Sequence, residues 1–209
     1  MLKNNLFNII GDEWSAPSIS SRSICEFDLF VLVKLAHRLG AKKITEFGCG
    51  ATTIELTKEG FAIDTFSLDI CQAVKQLGLT VGFTKCNLFD KTFLPQILES
   101  VASSDLLVID NLHTFEMAKY YSENILSKCD VPVWIHDYWY GRCVYGEQKY
   151  LDEHVIGKTH KIVTLTDLPM RDVKDIGKKI NHDISNQKHT GPFPKNTGPK
   201  MCSVILERQ

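Results

Sequence analysis

The spacing of apolar positions changes period along this chain. From Ile24 to Leu39, Phe27, Phe30, Val31 and Leu35 recur at helical spacing, and Gly40 stands where a helix would end. Lys43–Phe47 reads as a strand that runs into Gly48-Cys49-Gly50, and Thr52 and Thr53 open a helix to about Lys58. The alternation continues with a strand over 64–69, a helix over 71–77, a strand over 80–86 and a helix over 93–101. Asp105 to Asp110 is nearly all apolar inside, as a strand covered on both faces requires. A helix is predicted over 113–128, a strand over 131–137, a helix over 147–154 and strands over 161–168 and 201–208. Strand–helix alternation from 43 to 168 predicts an α/β fold built on a mainly parallel sheet.

The chain has 209 residues, 44 % of them apolar and 23 % charged, which fits one domain with an attached flap. A net charge of −1 provides no global basic field and argues against nucleic acid as the partner. No apolar run reaches the length of a membrane span. The N-terminal stretch is broken by Asn4, Asn5 and Asn8 and does not read as a signal peptide. Seven scattered cysteines without a C-x-x-C read as reduced thiols, so a cytoplasmic location is expected. Residues 1–23 form a Ser-rich segment able to act as a lid. Residues 170–200 carry seven lysines and arginines against three aspartates and read as a basic flap between the last two strands.

The strongest local signal is Ile44-Thr-Glu46-Phe-Gly48-Cys-Gly50-Ala-Thr-Thr53. A strand enters a glycine pair and then a helix start, a turn that lets a ligand approach the main chain. Asp69 ends the next strand, about 20 residues on, where an acid can hold ribose hydroxyls. Thr53 replaces the third glycine of the dinucleotide fingerprint, and Glu46 puts a carboxylate where a pyrophosphate would be repelled and a sulfonium attracted. Both points favour S-adenosylmethionine over NAD.

With those residues in view, Glu46-Phe-Gly-Cys-Gly-Ala-Thr-Thr53 resembles the first motif of class I S-adenosylmethionine-dependent methyltransferases, and Ser67-Leu-Asp69-Ile resembles their second. The resemblance implies a Rossmann-like, doubly wound, seven-stranded sheet, mostly parallel with an antiparallel last strand. It implies that Glu46, Gly48 and Gly50 lie along the methionine moiety and that Asp69 grips the ribose. Asn87 stands where the family often has an acid near adenine.

Two further strands end in chemistry. Asp110-Asn-Leu-His113 follows the fourth, and His136-Asp137-Tyr138 ends the fifth. In an open parallel sheet both reach the rim where ligands bind. The pattern is similar to the subgroup of methyltransferases acting on sugars and other small molecules, whose fourth strand often ends D-G-D-H-x-Y and whose fifth ends H-D-Y or D-D-Y. Here Asn111 and Leu112 replace the Gly-Asp of that pattern. The resemblance implies O-methylation of a small-molecule hydroxyl, with Asp110 also beside the cofactor. His113 or His136 would take the proton, and His113 is the preferred base. Asp110 and Asp137 are candidate ligands for a divalent cation such as Mg, with His136 a third. Tyr138, Trp139, Tyr140, Tyr145 and Arg142 cluster beyond the fifth strand and suit a flat or sugar-like acceptor. A homo-oligomer stays open. The competing readings are a nicotinamide-dependent oxidoreductase and a non-catalytic nucleotide- or partner-binding module.

Overall fold

A computed structural model describes residues 26–136, 138, 146–163 and 203–209 of the chain. In order the elements are α1 (Glu26–Leu39), β1 (Lys43–Phe47), α2 (Ala51–Lys58), β2 (Ala62–Ser67), α3 (Gln72–Gln76), β3 (Gly82–Lys85) and α4 (Leu94–Ala102). They are followed by β4 (Leu106–Ile109), α5 (Phe115–Asn124), β5 (Val133–Ile135), α6 (Glu147–His154), β6 (His160–Val163) and β7 (Val204–Arg208). The seven strands form one sheet in the order β3-β2-β1-β4-β5-β7-β6. Neighbours from β3 to β5 are parallel, and β7 runs antiparallel to both β5 and β6. The expected doubly wound sheet with an antiparallel last strand is therefore present. The 1–23 segment, most of the 170–200 flap's surroundings and the flap itself lie outside the described residues.

Each strand feeds both layers because its side chains alternate. Phe47, Phe66, Leu107, Ile109, Val133, Ile135 and Leu206 face the layer holding α4, α5 and α6, in one cluster with Ile97, Tyr121 and Leu151. Ile44, Ile63, Leu106, Val108, Trp134 and Ile205 face α1 and α2, in a second cluster with Leu29, Leu32 and Leu56. Thr45 is fully buried, and its hydroxyl meets those of Ser100 and Ser104 at 2.7 and 2.6 Å.

Some boundaries differ from the pattern-based expectation. The helix expected over 113–128 begins later, because the Thr114 hydroxyl accepts a hydrogen bond from Met117 N at 3.2 Å and caps it. It ends at Asn124, where Ile125 leaves helical geometry, and a 3-10 turn covers Leu126–Lys128. The fifth strand keeps only its apolar centre, Val133–Ile135. The order in which strands are added to the sheet reverses between β1 and β4, the switch point at which open α/β sheets bind ligands.

Candidate active site

Period-two alternation puts three polar side chains on one face of the sheet at its carboxyl edge. Glu46 follows Ile44, Asp110 follows Val108 and His136 follows Trp134, all on the α1/α2 side. The ladder continues past the strands: Asp110 N donates to Phe47 O at 2.9 Å and His136 N to Ile109 O at 2.9 Å. The backbone is thus fixed where the chemistry begins.

Gly48 makes the bend after β1. Its φ is +107°, and a Cβ there would sit 2.0 Å from the Asp110 carbonyl oxygen, so glycine is required on both grounds. Its carbonyl also accepts the Thr65 hydroxyl, tying the bend to β2. Gly50 is extended, and an added Cβ would meet nothing within 4 Å, so the space beside it is open. The Gly50 amide donates to Thr53 Oγ1 at 2.9 Å.

Glu46 is fully buried. One carboxyl oxygen accepts the Thr52 hydroxyl and the other the Thr53 hydroxyl, the latter at 2.5 Å. Burial pushes its pKa up to about 7, with the Asp110 charge adding to the rise and the threonine hydroxyls opposing it. In the sequence Thr52 and Thr53 open a helix and close the first motif, with Thr53 in place of the third glycine. In the fold they clamp the carboxyl group that ends β1.

Asp110 and His136 form a pair, His136 Nδ1 lying 3.0 Å from Asp110 Oδ1. Burial opposes the Asp110 charge. The His136 hydrogen bond and charge, then His113 and Thr52, outweigh it and hold the carboxyl below its ordinary range. His136 is 4 % exposed and stacks on Trp134 at a centroid distance of 5.6 Å. His113 approaches from the β4–α5 loop, its ring centroid 6.1 Å from that of His136. Asp110, His113 and His136 each place one ligand-type atom within 4.8 Å of the others. One carboxylate and two imidazoles predicted from two neighbouring strands are therefore brought to one rim, and Asp137 lies outside the described residues.

Sequence reasoning missed Glu147. This first residue of α6 is 3 % exposed; its Oε2 lies 2.7 Å from His113 Nδ1, and its Oε1 accepts the Tyr121 hydroxyl at 2.7 Å. Burial, then the Glu147 charge, pushes the Tyr121 phenol well above its ordinary range, so it remains a donor. Only long-range folding joins these residues, and the local pattern carried no signal of it.

The remaining candidates stand apart. Asp69, just past β2, is exposed, with Lys85 Nζ 3.6 Å away. With Ile70, Gln72, Lys75 and Gln76 it lines a depression of about 460 Å³ on the loop after β2 and on α3. Asn87 Oδ1 accepts from Phe89 N at 3.1 Å and closes a turn. Tyr138 is 1 % exposed and donates to Asp152 on α6, so it packs in the core; Trp139, Tyr140, Arg142 and Tyr145 lie outside the described residues.

No family model matches the sequence, and no curated protein matches it. Solved structures do match the fold. An O-methyltransferase from Bacillus cereus, in complex with SAH, superposes with a TM-score of 0.53 at 16 % identity, covering 97 % of this chain and 89 % of that one. The chain has the methyltransferase fold. The O-methyltransferase TomG from Streptomyces achromogenes, in complex with SAM, gives a TM-score of 0.51 at 13 % identity over 98 % of this chain and 87 % of that one. The methyltransferase MycE of the mycinamycin pathway, in complex with Mg, SAH and mycinamycin VI, gives 0.50 at 14 % identity over 97 % of this chain and 54 % of that one. Among the described residues, no helix of this methyltransferase fold is long and apolar enough to cross a membrane.

Proposed function

We propose that the chain is an S-adenosylmethionine-dependent methyltransferase that methylates a hydroxyl of a small molecule, with sugars among the acceptors. The observation that carries this reading is the placement of His113, His136 and Asp110 within 4.8 Å of one another, beside the β1 glycine bend at the switch point of a methyltransferase fold. Fold alone would not suffice, because this architecture hosts many activities. The structural neighbours bound to SAM, SAH and mycinamycin VI support the same donor and a small-molecule acceptor.

The residues fit the donor. Gly48 and the open space at Gly50 admit a ligand to the backbone, and the Asp69 carboxylate is exposed where ribose hydroxyls would meet it. Asp110 supplies a charge below the bend that attracts a cationic group. Glu46 holds the bend through Thr52 and Thr53, so its contribution to the methionine end passes through those hydroxyls. Asn87 keeps its amide nitrogen for an adenine edge while its oxygen closes the turn. When bound, the donor supplies an electrophilic methyl group. His113 takes the acceptor's proton, and His136, held by Asp110, shapes the floor beside it.

The same cluster fits a divalent cation. Asp110 and His136 would hold it, with Asp137 proposed as a further ligand and His113 left as the base, and the ion would stabilise a developing alkoxide. A donor set that includes an imidazole suits manganese, iron or zinc better than the all-oxygen preference of Mg. The free thiols of Cys49, Cys71, Cys86 and Cys129 support a cytoplasmic setting.

The test is turnover of methyl-labelled S-adenosylmethionine against a panel of simple sugars and phenols. His113→Ala should cut turnover about 100-fold or more while leaving donor affinity within about twofold. Unchanged turnover would remove the base role from His113.

A further inference from the structure

Within the proposed reaction, the structure assigns Glu147 as the positioning residue of His113, fixing which ring nitrogen carries the proton. An imidazole serves as a base only through the nitrogen that bears a lone pair. Glu147 Oε2 is 2.7 Å from His113 Nδ1, and a carboxylate accepts. Nδ1 therefore carries the hydrogen, and Nε2 is the basic atom. The other carboxyl oxygen, Oε1, accepts the Tyr121 hydroxyl at 2.7 Å. Both oxygens are committed to donors on α5 or the loop before it, so the carboxylate cannot turn.

An acid at the first turn of a helix is ordinary when exposed, since it complements the helix dipole. Glu147 is 3 % exposed, and burying a carboxylate is costly unless its partners compensate. The fold also spends local structure on placing it. Gly146, the residue before it, has φ +80° and forms an isolated antiparallel bridge with Thr114, the residue after His113. A Cβ on Gly146 would lie 2.8 Å from Phe115 Cβ. One helical turn on, the Tyr150 ring meets Phe115 edge-on at 5.1 Å. The start of α6 is thereby pinned to the loop that carries His113.

The arrangement balances the proton transfer. As the acceptor oxygen forms its bond to the methyl carbon, the carbon–sulfur bond breaks and its electron pair returns to sulfur, leaving a neutral thioether. The acceptor's proton passes to His113 Nε2, and the imidazolium that results lies against the Glu147 carboxylate before it releases its proton to water.

The test combines nitrogen NMR with kinetics on the full chain. In the wild-type protein, ¹⁵N-labelled histidine should show His113 protonated at Nδ1. In Glu147→Gln the Tyr121 hydroxyl holds the amide oxygen, the amide NH₂ faces Nδ1, and the tautomer should switch to Nε2–H. Turnover of labelled S-adenosylmethionine with the best panel acceptor should fall about 100-fold or more, with KM and donor affinity within about threefold. A wild-type spectrum with the proton on Nε2 overturns the assignment without any variant being made. An unchanged tautomer or unchanged turnover in folded Glu147→Gln overturns it as well. The NMR arm needs neither donor nor acceptor. Loss of donor binding by the wild-type protein would sink the methyltransferase reading and leave the tautomer result standing on its own.

Discussion

A carboxyl group buried away from water ionises reluctantly, even where two threonine hydroxyls favour its charge. Glu46 has a pKa of about 7 in the fold against an ordinary 4.5, so between those values the folded chain keeps a proton that the unfolded chain has released. Stability attributable to this residue therefore falls as pH rises through that window. Asp110 behaves oppositely: its pKa is depressed, so its contribution is lost only as pH falls below the ordinary carboxylate range. Glu46→Gln should remove the upper slope, with a difference from wild type that grows to about 3 kcal/mol by neutral pH. Urea unfolding of both proteins from pH 4 to 8 checks this, and parallel profiles would contradict it. The acidity of position 46 was legible in the sequence. Its burial was not, because Thr52 and Thr53 close on it only when α2 docks against β1. Glu147 was less legible still. It lies 34 positions from His113, and nothing in the local pattern distinguishes it from an exposed first-turn acid.

At the level of elements, the bend after β1 is the most constrained junction. Gly48 combines a positive φ with a β4 backbone that leaves no room for a Cβ. Gly48→Ala should therefore force β1 and the Asp110 segment apart, costing about 2–4 kcal/mol in chemical unfolding and weakening donor binding beyond detection. A variant with wild-type stability would show that the bend yields freely. The strands and most helices were predictable because their apolar periods match the faces they bury: Leu106–Ile109 reads as doubly covered and is so. The boundaries of α5 were less predictable, since Thr114 and Ile125 set them through cap geometry that apolar spacing does not record.

Across the whole molecule, strand order does the positioning. Because β1, β4 and β5 are consecutive neighbours, Glu46, Asp110 and His136 project from the same edge on the same face, and the β4–α5 loop brings His113 over them. The mostly parallel seven-stranded sheet with its antiparallel last strand could be expected from the alternation and the family likeness. The contacts within the cluster, and the carboxylate from α6 behind it, required the fold. The central claim is that the switch point at β1 and β4 seats a sulfonium donor. Isothermal titration of the full chain with S-adenosylmethionine, with NAD as the control ligand and Asp69→Ala as the control protein, tests it most directly. The account predicts saturable binding of S-adenosylmethionine that weakens at least tenfold in Asp69→Ala, and no binding of NAD. Heat of binding from NAD alone, or from neither ligand, would contradict it.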